Sequence, residues 1–368
     1  MPVPTTRQSR PADPATDRPV LPLTDAQAEE LGRELDKLRQ EIIDDLGESD
    51  ARYIRRVIAV QRGLEVTGRA LLFGASRRWA WWGGTGCLAV AKILENMEIG
   101  HNVMHGQWDW MGDPRIHSTT WEWDNVTPSD QWKHAHNVLH HTYTNVLGHD
   151  RDVGYGVMRM DPRQPWRWFY LLQPFYNLAF AALFEYGNAV YDFSAEVELG
   201  TKTEDELRRQ LRDIGRKMGR QAVKDYVVFP ALAGRNAPRV LLADVVANML
   251  RNVWAHQIIF CGHFPGGVAI FEEEVLDGET RGRWYLRQLL GSVNIEGGRL
   301  LHLMTGNLSH QIEHHLFPDL PSNRYAQIAP RVRELCARYG LPYHTGPLPR
   351  QVARHWRKVV RLAFPGGR

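Results

Sequence analysis

Three histidine clusters constrain this chain more than any other feature. His101-Asn-Val-Met-His105, His136-Asn-Val-Leu-His140-His141 and His310-Gln-Ile-Glu-His314-His315 hold eight of its 16 histidines. At this histidine frequency one H-x-x-x-H-H is expected by chance on the order of 0.03 times, and the chain carries two. On a helix, residues four apart share a face, so His101 and His105 can grip one ion. Neighbours in a doublet point about 100° apart. One member can therefore join the histidine four before it while the other turns toward a second ion. Eight imidazoles exceed one tetrahedral site, and a two-metal centre is the economical reading. Any fold adopted must bring all three clusters together.

Ligand chemistry narrows the metal without naming it. The clusters contain no cysteine, which disfavours thiolate zinc and iron–sulfur sites, whereas imidazole suits Zn, Fe, Cu and Ni alike. The isolated His117, His134, His149, His302, His344 and His355 are read as ordinary histidines without metal. Glu98-Ile-Gly-His101 matches the Glu-x-x-His element of soluble four-helix di-iron carboxylate proteins. Those need two such elements and two further Glu, and this copy stands alone. Glu98 is therefore assigned to support or to an interface.

The rest of the chain is a set of unlike parts. With 45 Lys+Arg against 42 Asp+Glu, the charge balance excludes nucleic-acid binding through a basic surface. Three scattered cysteines exclude a disulfide framework. The mean hydropathy of −0.41 describes a soluble protein only as an average. Residues 1–22 carry six prolines and almost nothing to bury, a disordered arm; lacking a secretory apolar run, the N-terminus is expected to stay in the cytosol. Residues 23–50 read as an amphipathic helix, with Thr24 and Gln27 as a capping box and Leu31, Leu35, Leu38, Ile42 and Leu46 on one face.

Four apolar segments follow: 57–76, 79–91, 168–184 and 240–271. None is a clean run of about 18 apolar residues; Arg62, Glu65, Arg69, Asp244 and Arg251 interrupt them. Periodicity leaves two readings open: membrane helices that turn ionisable groups inward, or buried helices of a soluble protein. Residues 195–225 form a highly charged, solvated helix. The final "RQVARHWRKVVRLAF" sets Val352, Trp356, Val359 and Leu362 among five basic residues. That helix suits either an anionic membrane surface or packing on the body.

The stretches "AKILENMEIGHNVMHGQWDWMGDP", "HNVLHHTYTNVLGHDRD" and "GNLSHQIEHHLFPDLP" resemble the integral-membrane fatty acid desaturase family, and the likeness runs over roughly residues 55–335. The resemblance is to the bacterial type, in which no fused cytochrome domain is expected. The resemblance implies an all-α fold of about four membrane spans under a cytosolic helical cap, with a desaturase domain over 51–335 and a basic tail over 336–368. It implies a cell-membrane, multi-pass protein with its active site facing the cytoplasm. Two non-haem irons would be held by His101, His105, His136, His140, His141, His310, His314 and His315. A further histidine comes from the last membrane helix; His263 in "CGHFPGG" is the better match and His256 the competitor. Asp109, Asp150, Asp152 and Glu313 are the carboxylates expected to orient the rings. The clustered tryptophans at 79–82 and 108–132 read as interfacial anchors and cap packing.

The implied activity is oxygen-dependent desaturation of a fatty acyl chain carried as acyl-CoA, acyl-lipid or on a carrier protein. Methylene C–H bonds offer neither an acidic proton nor a leaving group, so oxygen activated by a redox metal is required. No catalytic residue is expected beyond the metal ligands. Electrons must come from outside, because the chain shows no G-x-G-x-x-G, cysteine cluster or haem domain; a ferredoxin or flavin reductase is implied. A lipid hydroxylase of the same superfamily uses the same irons. A histidine-rich membrane metal-binding or transport protein is the alternative from another class, disfavoured by the helical spacing of the clusters.

Overall fold

Apolar periodicity and capping place most of the helices. The computed structural model describes residues 21–190, 200 and 202–367, so the arm expected at 1–22 lies outside the described residues but for its last two positions. The main helices are α1 (Asp25–Asp44), α2 (Glu48–Phe73), α3 (Arg78–Leu94), α4 (Gln173–Ala182), α5 (Glu204–Val223), α6 (Ala237–His263), α7 (Arg281–Leu290), α8 (Gln311–Leu316), α9 (Tyr325–Arg338) and α10 (Leu348–Leu362). One short parallel pair, β1 (Asn294–Glu296) and β2 (Thr345–Pro347), sets Ile295 against Gly346.

The first half of the structure packs polar-out. At the start of α1 the Thr24 N–H donates to Gln27 Oε1 at 3.1 Å, and the Gln27 N–H donates to Thr24 Oγ1 at 3.4 Å. Leu31, Leu35, Leu38 and Ile42 are buried against Tyr285 and Leu289 of α7, Ile312 and Leu316 of α8, and Ile328 and Val332 of α9. The amphipathic helix thus docks on the helix that carries the third histidine cluster. α1 and α7 touch backbone to backbone: a Cβ on Gly282 would sit 2.1 Å from the Ala28 carbonyl oxygen.

The second half packs the other way. α2 and α3 form a hairpin against α6, and their shared interior is charged. Arg69 of α2 binds Asp225 at 2.9 Å and also Asp244 of α6. Lys92 of α3 binds Asp225 at 2.8 Å and Asp124 at 3.1 Å. Arg251 of α6 binds Glu185. The outer faces are apolar: Leu242 and Val245 of α6, Phe175 and Leu178 of α4, and Trp79 and Trp82 of α3 are all exposed. Consequently no helix among the described residues is long and apolar enough to cross a membrane. The apolar segment at 168–184 forms a helix of only ten residues, α4.

Residues 336–368 are folded into the body. Cys336 belongs to the core around α1, and β2 pairs with β1. α10 buries Gln351, His355, Val359 and Leu362 rather than the Val352–Trp356 line, with Val359 in the core beside Phe260 and Phe264.

Candidate metal centre

Two clusters reach the centre on π-helical turns and the third on a short α-helix. The first follows α3 through a π-helical turn, Glu95–His101; the second sits on another, His134–His140; the third is α8. A π turn widens the helix by one residue and is found often at functional sites. His101 and His105 still meet, with ring centroids 4.6 Å apart, and His136 and His140 lie 5.0 Å apart.

The side chains form two groups joined by a bridge. One ring nitrogen from each of His101, His105, His136 and His314 lies within 4.8 Å of the others. His140, His263 and His315 form a second such group, and His141, His314 and His315 a third that links the two. Within them, Nε2 of His101 faces Nε2 of His314 at 3.3 Å, and Nε2 of His263 faces Nε2 of His315 at 3.1 Å. Nε2 of His105, His136 and His140 and both ring nitrogens of His141 are buried without a hydrogen-bond partner. Buried polar atoms are normally paired, so this set of converging, partnerless imidazole nitrogens fits two cations.

The outward ring nitrogens of His140, His314 and His315 are held. Asp150 accepts from His140 Nδ1–H at 3.0 Å and is itself fixed by the Asn145 N–H at 2.6 Å. His315 Nδ1–H donates to Gln288 Oε1 at 3.0 Å. His314 Nδ1 lies 3.2 Å from the Tyr325 hydroxyl, which accepts from Gln107 and donates to the Phe317 carbonyl. Each bond fixes a tautomer and leaves an Nε2 lone pair for the centre. Burial, reinforced by neighbouring imidazoles, pushes His105, His141, His314 and His315 well below their usual pKa. They stay neutral and able to ligate. Burial lowers His140 too, but the Asp150 and Asp152 charges outweigh it and push that ring up to about 9; an ion would displace the Nε2 proton and leave the one shared with Asp150.

The remaining expected residues are distributed unevenly. Asp152 lies 3.6 Å from Nδ1 of both His136 and His140. Glu313, pushed up to about 7 by burial, accepts from Asn294 and Tyr343 and braces the third-cluster helix. Asp109 instead holds the Ser118 N–H and hydroxyl, away from the rings. Glu98 accepts from Tyr53, Ser322 and Asn307, an interface role. His263 joins the centre, while His256 does not: its ring stacks on Phe260 and bonds to Asn177 and Gln257.

His310 is not brought into any of the groups. It precedes α8 with φ −100° and ψ 55°, so the helical four-residue relation to His314 does not exist. Its ring stacks on His302 instead. The side chain that arrives in its place is Gln311, whose Nε2 lies 2.9 Å from His263 Nε2 and whose Oε1 is buried without a partner. Sequence reasoning missed Gln311 because it searched for imidazoles. The signal was its place three residues before the doublet, where an amide oxygen can also face a cation.

Residues 79–347 match the fatty acid desaturase family, which spans more than half of the chain. The chain belongs to the fatty acid desaturase family. It is 52% identical over 348 residues to an NADPH-dependent stearoyl-CoA 9-desaturase of Mycobacterium tuberculosis, covering 93% of this chain and 82% of that protein. An sn-1 linoleoyl-lipid 6-desaturase of Synechocystis is 26% identical, over 71% of this chain and 75% of its own. A Delta(5) fatty acid desaturase A of Dictyostelium discoideum is 24% identical, over 70% of this chain and 58% of its own. This desaturase is an oxidoreductase that introduces a double bond into a fatty acyl chain in an oxygen-dependent reaction.

Proposed function

We propose that this desaturase acts on a long-chain acyl-CoA, at the ninth carbon, using two non-haem irons, dioxygen and electrons from a separate NADPH-fed flavin reductase. The observation that carries the reading is the pair of imidazole groups joined through His141, His314 and His315. His101, His105, His136 and His314 would hold one ion, and His140, His263 and His315 the other, with His141 between them. Iron bound there supplies the redox chemistry that activates oxygen for removal of hydrogen from unactivated C–H bonds. The protein does the rest. Asp150, Gln288 and Tyr325 keep the rings turned inward, and the neutral imidazoles leave the bound ions' charge largely uncompensated. Burial of every ring in the two groups except the half-buried His105 and His136 limits access of water. The acyl-CoA substrate, the position of the bond and the reductant are supported by the 52% identical relative, whose name states all three.

The same reading places the polar-inside half in a membrane, with the centre on the cytoplasmic side. Its support is the exposed apolar surface of α3, α4 and α6 around an interior of ion pairs, since a contiguous apolar surface of this kind marks a membrane or partner contact.

The test is expression of the full chain with a flavin reductase, feeding of stearoyl-CoA, mass spectrometry of the acyl products and metal quantitation. About two irons per chain and an oxygen-dependent monounsaturated product are expected. Zinc alone, with unchanged acyl chains, overturns the reading, as does full activity and iron content in His140→Ala.

A further inference from the structure

Four cations converge on a small pocket beside the centre. Arg354, Arg357, Lys358 and Arg361, on one flank of α10, line a cavity of about 300 Å³ whose lining also includes Gly266 and Gly267. No acid lines it. None of the four side chains has an ion-pair or hydrogen-bond partner among the described residues. Asp161, the nearest acid to act on Lys358, is held by Arg163 at 2.7 Å. A larger cavity of about 660 Å³ differs: its cations are interleaved with Glu65, Glu95, Glu122 and Asp124, which repel an anion. The glycine wall is open as well. A Cβ at Gly266 or Gly267 would meet nothing within 4 Å, and Gly267 has φ +102°. The backbone itself requires glycine at Gly267, whereas nothing in the chain demands it at Gly266, and the open space at both leaves bare backbone for a ligand to approach. Burial pushes the Lys358 amine down to about 8, a cost that a bound anion relieves.

The pocket lies between the histidines and the exposed apolar face. Gly266 follows His263 by three residues. The opposite side of α10 touches α6 one turn before His263, with the His355 ring 5.0 Å from Phe260. Beyond the end of α10, the Ala363 carbonyl accepts from Trp166, next to the exposed Trp168, Leu171, Leu172 and Phe175. An amphiphile with a phosphorylated head and an acyl tail matches that order of surfaces.

We infer that this pocket binds the phosphate groups of coenzyme A, the carrier end of the acyl-CoA substrate. The inference rests on the acyl-CoA reading above. Guanidinium groups take phosphate oxygens bidentately, and coenzyme A presents phosphate at two places, the 3′-phosphate and the diphosphate. An anionic phospholipid offers the same chemistry from another source, and the experiment separates the two.

Full-length protein in phosphatidylcholine nanodiscs is titrated with free coenzyme A and, separately, tested for binding to phosphatidylglycerol vesicles. The same is done with the triple variant Arg354→Gln, Arg357→Gln, Arg361→Gln and with its Arg→Lys counterpart. Loss of three charge-assisted contacts should weaken coenzyme A binding at least about tenfold. It should raise KM for stearoyl-CoA by a similar factor with kcat within about twofold, and the Lys variant should recover most of the affinity. Unchanged coenzyme A affinity and KM overturn the inference. So does a triple variant that keeps coenzyme A but loses phosphatidylglycerol vesicles, which assigns the pocket to lipid. Binding is read without turnover. A wild type that binds coenzyme A through these arginines but forms no double bond therefore fails the functional reading alone. A wild type that desaturates while indifferent to them fails this inference alone.

Discussion

The half built on α1, α7, α8 and α9 and the half built on α2, α3 and α6 are both helical, yet they solve burial in opposite ways. Around α1, leucines point inward and charges outward, so the sequence pattern states the fold directly. Around α6, Asp244, Asn248, Arg251 and Asn252 point inward while Leu242, Val245 and Leu250 face out. Ion pairs hold this second interior and aliphatic packing the first. The histidine centre lies where the two meet, fed by α3 and α6 from one side and by α8 from the other. The centre thus draws its ligands from both kinds of packing.

Five substitutions test that contrast, from the largest expected effect to the smallest. Asp225→Ala leaves Arg69 and Lys92 without a shared carboxylate, and removal of one member of a buried charge network costs about 3–5 kcal/mol. Thermal unfolding of the reconstituted protein measures it, and a near-neutral result would mean the inner charges are solvated. Leu35→Ala in the other half opens a cavity worth about 3 kcal/mol, read in the same assay; unlike Asp225→Ala it should be almost independent of salt.

Leu242→Lys sharpens the contrast from outside. At a lipid-facing position it costs about 2.5–3.5 kcal/mol and lowers membrane-inserted yield. At a water-facing one the change stays within about 0.5 kcal/mol, and the inverted reading of that half breaks. Asp150→Asn frees the His140 ring without touching its inward nitrogen; a tenfold to hundredfold loss of iron affinity or activity is expected, with unfolding temperature little changed. Thr24→Ala removes the cap of α1 for about 1 kcal/mol, an effect confined to the polar-out half and absent from kcat.

Legibility followed the same division. The α1 capping box and its leucine face were readable because local hydrogen bonds and a period of 3.6 residues determine them. The two doublets were readable because imidazoles repeated at helical spacing rarely coincide by chance. Regions with inverted polarity were harder: Arg69, Asp244 and Arg251 interrupt the apolar runs that a hydropathy window seeks, and their ion-pair partners lie from 66 to 175 residues away. Helical spacing could not choose between His256 and His263, since both lie on one face of α6 seven residues apart, and only the family resemblance favoured His263. The bend of the chain after His263 and the aromatic packing around His256 separate them.

By itself the sequence determined the chemistry of the centre: imidazoles in three helical clusters, two with doublets, enough for two ions and ordered along the chain as in the desaturase family. Tertiary structure alone decided membership. His310 falls outside because α8 begins one residue after it, so its ring lacks the helical phase that spacing assumed. Gln311 and His263 fall inside because the packing of α6 against α8 brings them within 2.9 Å. Phase along one helix is a local property that residues dictate, whereas the meeting of two helices depends on every contact between them.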